Sequence, residues 1–229
     1  MKFPQCWVPY MCNRYANWGS KEAIRQLMRL LRRELITTPA TDNLQGGEYY
    51  PDQDAPIVRN AGTREAQLTM ARWGFPPIAD KKPPITNIRN LKSPWWRDVN
   101  REWLLEPEYR CLVPFTAFAE PVRNSTWFSV PDQEIAFFAG IWRPWQGARL
   151  KPVPGKTRRA RHEDDWELYA FLTTEANDVV RPVHEKAMPV ILTDPDEWQT
   201  WLGGGVDSLS LQRPLASRKL EIEMNMPHS

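Results

Sequence analysis

Five consecutive residues, Met11-Cys12-Asn13-Arg14-Tyr15, offer the least ordinary chemistry in the chain. A cysteine directly behind a methionine becomes the first residue when translation starts at that methionine and it is then removed. Cys12 would then carry a free α-amine beside its thiol. Such a 1,2-aminothiol reacts in ways open to no internal cysteine. Arg14, two residues on, favours the thiolate. The ten residues Met1–Tyr10 either block that amine or reflect the choice of start site.

Three further polar residues stand where a reaction could use them. Glu120 ends an apolar run and precedes Pro121. It reads either as an exposed strand-end charge or as a partly buried acid with a raised pKa. His184 is one of three histidines and leads into the apolar stretch Met188–Leu192. Taken alone, a histidine there is more often structural than catalytic. Asn87 and Arg89 form a polar pair that by default reads as a turn. Cys111, between Arg110 and Leu112-Val113, has the surroundings of a buried structural thiol. Cys6 receives no role.

These residues need elements to hold them. Ser20 caps a helix expected over Lys21–Leu35, with Ile24, Leu27, Leu31 and Leu35 forming one apolar stripe. Its other face carries Lys21, Arg25, Arg29, Arg32 and Arg33, either a solvated face or a phosphate-facing surface. Strands are expected at Ala55–Arg59, Gln67–Trp73 and Tyr109–Phe118. Thr126–Val130 and Ile135–Trp142 read as the two arms of a hairpin, and Trp166–Thr173 as a further buried strand. Ser93–Trp103 suggests a short helix, as does Glu175–Arg181 behind Thr174. Asp194-Pro195-Asp196-Glu197 starts a helix that runs to Leu202 and stops at Gly203-Gly204-Gly205. The basic stretch Gln146–Asp165 reads as a mobile surface loop.

At 229 residues the length fits one large domain or two small ones, and the 41% apolar content suffices for a core. Twelve Trp and 22 Pro argue against a helical bundle, because proline is excluded from helix interiors. Strands outnumber helices, so the expected class is α+β: a single, mainly antiparallel β domain with a few peripheral helices. Three irregularly spaced cysteines do not form a disulfide framework and point to a reducing, cytoplasmic setting. No apolar run approaches the roughly 20 residues of a membrane span. The net charge of +2 leaves the partner to be decided by local patches.

Eight segments together resemble the SOS response-associated peptidase family. They are Met11–Tyr15, Ala55-Pro56-Ile57-Val58-Arg59, Arg72-Trp73-Gly74-Phe75-Pro76-Pro77 and Asn87-Ile88-Arg89. Cys111-Leu112-Val113-Pro114 through Glu120, then Phe138–Trp142, Thr173–Asn177 and His184–Leu192, follow in the family's order. Each is weak alone, and the ordered set is specific. It divides the chain into an extension at 1–10, a domain at 11–202 and a tail at 203–229.

The resemblance implies an abasic-site processing protein of the DNA damage response. Its N-terminal cysteine joins the ring-opened sugar aldehyde of an abasic site in single-stranded DNA as a thiazolidine. The family also carries a peptidase label and reverses the crosslink. By resemblance, Cys12 is the nucleophile, Glu120 the general acid/base, His184 an aid at the sugar and in reversal, and Asn87 a positioning group. Arg14 and Arg89 would bind flanking phosphates, while Trp73 and Pro76 would stack on or wedge against a base. Trp73 reads equally well as core. No cofactor or metal is implied, and a monomer is expected.

The chain departs from the family pattern in several places. Asn13 stands where the family usually has Gly, Ala119 and Pro121 where it has Tyr and Trp, and the basic stretch 146–165 is extra. Two rival readings stay open. One is a thiol peptidase using Cys12, His184 and Asn87; the other is a non-covalent single-strand binder.

Overall fold

The computed structural model describes residues 13–77, 82–120, 125–152 and 159–223. Fourteen strands and three α-helices follow in order among them. First come β1 (Tyr15–Asn17), α1 (Lys21–Leu30), β2 (Glu34–Thr37), β3 (Gly47–Tyr49), β4 (Asp54–Asn60), β5 (Glu65–Trp73) and β6 (Asn87–Ile88). Next are α2 (Arg101–Leu105), β7 (Arg110–Phe115), β8 (Ala117–Glu120), β9 (Thr126–Ser129), β10 (Ala136–Pro152) and β11 (Arg159–Thr174). The chain finishes with β12 (Met188–Pro189), β13 (Ile191–Leu192), α3 (Pro195–Gly203) and β14 (Glu221–Glu223). The class is α+β, rich in antiparallel pairing, as the composition predicts.

Five strands close on themselves. β4, β7, β10 and β11 pair antiparallel in that order, β4 also pairs with β5, and β5 completes the ring by running parallel to β11. The closing register is Leu168↔Arg72 and Tyr169↔Trp73. Closure removes the open edges that invite mispairing. A second sheet, in the order β14-β9-β8-β1-β3, packs beside this barrel.

The barrel wall is buried on both faces, which is why its strands read as near-continuous apolar runs. Alternate residues serve different cores. Ile57, Trp73, Val113, Phe138 and Phe171 join Tyr15, Phe118 and Phe128 of the second sheet. Val58, Leu68, Leu112, Ile141 and Leu172 meet Ile24 and Met28 of α1 and Trp198, Trp201 and Leu202 of α3. Trp201 is fixed further by its indole N–H, which donates to the carbonyls of Cys111 and Gly140. The Asp194 cap, Pro195 start and glycine stop of α3 all appear as the sequence suggests. Gly204 has φ +70, and a Cβ there would meet the Leu105 carbonyl oxygen at 2.5 Å.

Four expectations need correction. The first helix stops at Leu30, not Leu35. Arg32 takes φ 54, and the amides of Arg32 and Arg33 return to the carbonyls of Arg29 and Met28. Leu35 is buried instead in β2, where pairing with β5 outweighs the helical pattern. Thr126–Ser129 and the strand from Ala136 do not form a hairpin. β9 pairs with β8 and β14, stacking Phe128 on Phe118, while β10 enters the barrel. Glu175–Arg181 is a series of turns, held by Asn177, whose side-chain oxygen accepts from the amides of Val179 and Val180.

The basic stretch from Gln146 is no structureless loop. Its described residues continue β10 and β11 as a two-stranded ribbon, in register from Trp145↔Trp166 to Pro152↔Arg159. Alternation was masked there by glycine, proline and charge. The tail also packs: Leu215 and Leu220 are buried and β14 pairs with β9.

Candidate functional site

β1 and β8 bring the start of the domain against Glu120. Tyr15 lies opposite Phe118 and Ala16 opposite Ala117, and the Ala119 amide donates to the Arg14 carbonyl. Asn13 and Glu120 are the next residues along the two chains beyond that hydrogen bond. Cys12 itself lies outside the described residues, so the site is built from its neighbour Asn13, which is buried.

Glu120 is only 1% exposed, which decides between the two readings its sequence allowed: it is a buried carboxyl, not a strand-end surface charge. His184 is buried beside it, with Nδ1 3.9 Å from the carboxyl oxygen. Nδ1 also lies 2.9 Å from the Ala187 carbonyl. A carbonyl can only accept, so Nδ1 is the donor in this bond and Nε2 is the ring nitrogen it does not engage. The ring is held from behind by a tight turn in which the His184 amide donates to the Val180 carbonyl. Asn177 organises that turn and is tied by its side-chain amide to the Leu215 carbonyl.

Asn87 approaches from another direction. β6 pairs parallel with β11, Asn87 opposite Phe171. Its amide donates to the Thr86 hydroxyl at 3.0 Å, and that hydroxyl is directed at the Asn13 side-chain oxygen, 3.5 Å away. Thr86 is anchored through its carbonyl, which accepts from the Trp73 indole and the Phe171 amide. Thr86 drew no notice in the sequence, although it adjoins Asn87 and could have been found by that adjacency. The position where the family has Gly therefore carries a side chain that joins the site's hydrogen bonding.

The site residues expected to touch DNA fare differently. Trp73 is fully buried, and its ring packs against Tyr15 and stacks with Phe171. Stacking on a base is ruled out, because no face of the ring reaches solvent. Pro76 follows it at a half-buried corner, with Pro77 exposed. Gly74 turns this corner with φ +119, and a Cβ there would meet Pro84 at 2.7 Å. Arg14 ion-pairs with Glu48 at 2.7 Å and lies over the ring of Trp127, so a phosphate would have to compete with a carboxylate for it. Arg89 is half-buried, and its Nη1 has no hydrogen-bond partner among the described residues. Cys111 is fully buried, and desolvation pushes its thiol pKa up, as befits a structural residue.

A second polar cluster braces the corner. Asp52 accepts from Arg72 at 2.9 Å and from Arg149 at 2.6 Å, while Arg149 also donates to the Gly74 carbonyl. Burial pushes the Asp52 pKa up, but the two arginines together outweigh it and hold it below the ordinary value. Arg149 comes from the ribbon, so the extra segment is stapled to the corner beside the site.

No group of three or more metal-ligating side chains occurs among the described residues. No helix among them is long and apolar enough to cross a membrane.

Solved structures of other proteins share this fold. A protein from Bordetella bronchiseptica aligns with a TM-score of 0.66 at 21% identity, covering 92% of this chain and 98% of its own. One from Bacteroides thetaiotaomicron gives 0.63 at 19% identity, covering 93% of each chain. A phage-related protein from Bordetella bronchiseptica gives 0.60 at 16% identity, covering 93% and 95%. No curated protein matches the chain. The model of the SOS response associated peptidase (SRAP) family matches residues 11–226, nearly the whole length, and the chain belongs to that family.

Proposed function

We propose that this chain captures abasic sites in single-stranded DNA through an N-terminal Cys12, within the DNA-related, peptidase-like role that membership of the SOS response-associated family supports. The observation that carries the reading is the setting of Asn13. The residue bonded to Cys12 is linked through the Thr86 hydroxyl to Asn87, and its neighbour Arg14 is bonded across to Ala119, the residue before Glu120, which in turn lies beside His184.

The chemistry balances simply. The Cys12 α-amine adds to the sugar aldehyde and water leaves, giving an imine. The thiolate then adds to the imine carbon, the nitrogen takes a proton, and a five-membered thiazolidine results. Both nucleophiles belong to one residue, so the second step is intramolecular and fast. In this reading Glu120 protonates the departing hydroxyl and His184 moves the proton to and from the thiol or ring sugar. A well-placed proton carrier contributes about 10²–10⁴ in rate. A thiazolidine is a poorer electrophile than an imine, so strand cleavage by β-elimination slows and the lesion is shielded.

The amine exists only when Met1–Met11 are absent. The test is to prepare the chain from Met11 and from Met1 and mix each with abasic single-stranded DNA. The shorter form should give an adduct that survives denaturation, lost in Cys12→Ala. The longer form should give one only if mass spectrometry shows that its first eleven residues have been removed. Absence of adduct with the processed Met11 form would sink the reading.

A further inference from the structure

The basic face of α1 has no part in the site described above, yet it ends in a shaped depression. Arg25, Arg29, Arg32 and Arg33 line an open cavity of about 520 Å³ with Glu34 and Leu35. Its components differ in kind. Arg29 and Arg32 are exposed, and Arg25 is half-buried. Arg25 and Arg29 share a single carboxylate, Glu22, at 2.5 and 3.8 Å. Arg33, by contrast, is 9% exposed.

No carboxylate among the described residues pairs with Arg33. Its guanidinium hydrogen-bonds the Asn60 side-chain oxygen, a neutral acceptor. Asn60 is itself fixed, donating to the carbonyls of Pro107 and Leu202. Burial lowers the Arg33 pKa, the mark of a charge that has lost water and gained no carboxylate. A fixed, partly desolvated guanidinium offers an oxyanion strong, geometrically defined hydrogen bonds.

The backbone adds an independent observation. The residue that ends α1 in the left-handed region is Arg32, at φ 54, where glycine or asparagine is the unstrained choice. An arginine is kept at a strained position facing the same cavity as three others.

We propose that this depression is a second binding site, for a phosphodiester group of the nucleic-acid backbone. Arg33 is its fixed floor, and Arg29 and Arg32 close on the oxyanion from the rim. The site is remote from the lesion pocket. Arg33 leads into β2, which pairs with β5 at Glu65, whereas the lesion pocket hangs from the other end of β5 beyond Trp73. Nine strand residues separate these ends, on the order of 30 Å. A short oligonucleotide seated at the lesion pocket cannot reach the second site. A longer strand can occupy both, so the second contact holds flanking DNA by charge without reading its sequence.

The experiment compares wild type with the double variant Arg29→Gln/Arg32→Gly and with Arg33→Gln. Glycine suits the left-handed backbone at position 32, so the double variant keeps its fold even if Arg33→Gln does not. The readout is the salt dependence of binding to intact single-stranded DNA, long or about 6 nucleotides in length. Each lost phosphate contact flattens the log–log slope by about 0.7. The double variant should lose about 1.4 on the long strand and nothing on the short one. An unchanged slope on the long strand overturns the site. So does an equal loss on both lengths, which would make these arginines part of the general field. Inorganic phosphate competing as well as the long strand would also overturn it, since one ion would then account for the site. Binding to intact DNA requires no crosslink, so these results stand apart from the aldehyde-capture test.

Discussion

In the proposed reaction Glu120 and His184 divide the work by their surroundings. The carboxyl is sealed from solvent, while the imidazole has one nitrogen committed to the Ala187 carbonyl. If they carry protons in adduct formation, Glu120→Gln should slow it by about 10²–10⁴ without weakening binding to intact DNA. Single-turnover gel assays would measure the rate and fluorescence anisotropy the binding. A loss confined to affinity would remove Glu120 from the chemistry. Thr86 gives a finer test. Thr86→Val keeps the shape but deletes the hydroxyl between Asn87 and Asn13. The expected outcome is a slower adduct rate, on the order of 5–10-fold for one neutral hydrogen bond, restored by Thr86→Ser. Equal rates in the Val and Ser variants would show that the hydroxyl contributes nothing. Arg110 is a different kind of buried charge, stacked 3.7 Å from the Trp201 ring with one bond to Ser208. Desolvation pulls its pKa down to about 9, still cationic at neutral pH.

At the scale of elements, the ribbon and the corner are joined through Asp52. Asp52→Asn would leave Arg72 and Arg149, both buried, without their shared carboxylate. The cost should be about 3 kcal/mol in denaturant unfolding, and asparagine tolerates the φ of 65 at this position. The pH dependence has a definite sign. The Asp52 pKa is lowered on folding, so its contribution is present above the ordinary carboxylate value near 3.9 and is lost as pH falls below it. Wild type should therefore lose more stability than Asp52→Asn on acidification below about pH 4. Parallel pH profiles would refute this. The end of α1 offers the opposite trade. Arg32→Gly should raise stability by about 1 kcal/mol by relieving the left-handed backbone, while weakening the proposed phosphate contact. Gain of stability with loss of function is the pattern expected where strain is retained for binding.

For the whole molecule, closure of the barrel is what makes the site rigid. β5 and β11 meet in parallel only after more than ninety residues have intervened, and β6 then adds Asn87 alongside β11. The second sheet delivers Asn13 and Glu120, and the turn after β11 delivers His184. Four separate stretches thus supply Asn13, Asn87, Glu120 and His184. A truncation after Leu202 should fail to fold stably, because it removes Leu215, Leu220, β14 and the Gln212 side chain that donates to the carbonyls of Arg89 and Thr173. Circular dichroism melting would show it, and a truncated chain melting like the full one would refute it.

Local pattern was enough for much of this. The apolar runs of β4, β5, β7 and β11 and the Asp194-Pro195 start of α3 are local patterns of residue type, so they can be read from the chain directly. The eight ordered segments likewise pointed to the family without any coordinates. What the sequence could not decide depends on residues far apart. Whether Glu120 is exposed or buried, whether Trp73 faces DNA or the core, and whether Leu35 belongs to helix or strand are settled by partners about 30 to 100 positions away. The link from Asn13 through Thr86 to Asn87 is of the same kind, since a hydrogen bond between positions 13 and 86 leaves no local trace. Burial and side-chain pairing are properties of packed surfaces, and only the tertiary structure brings those surfaces together.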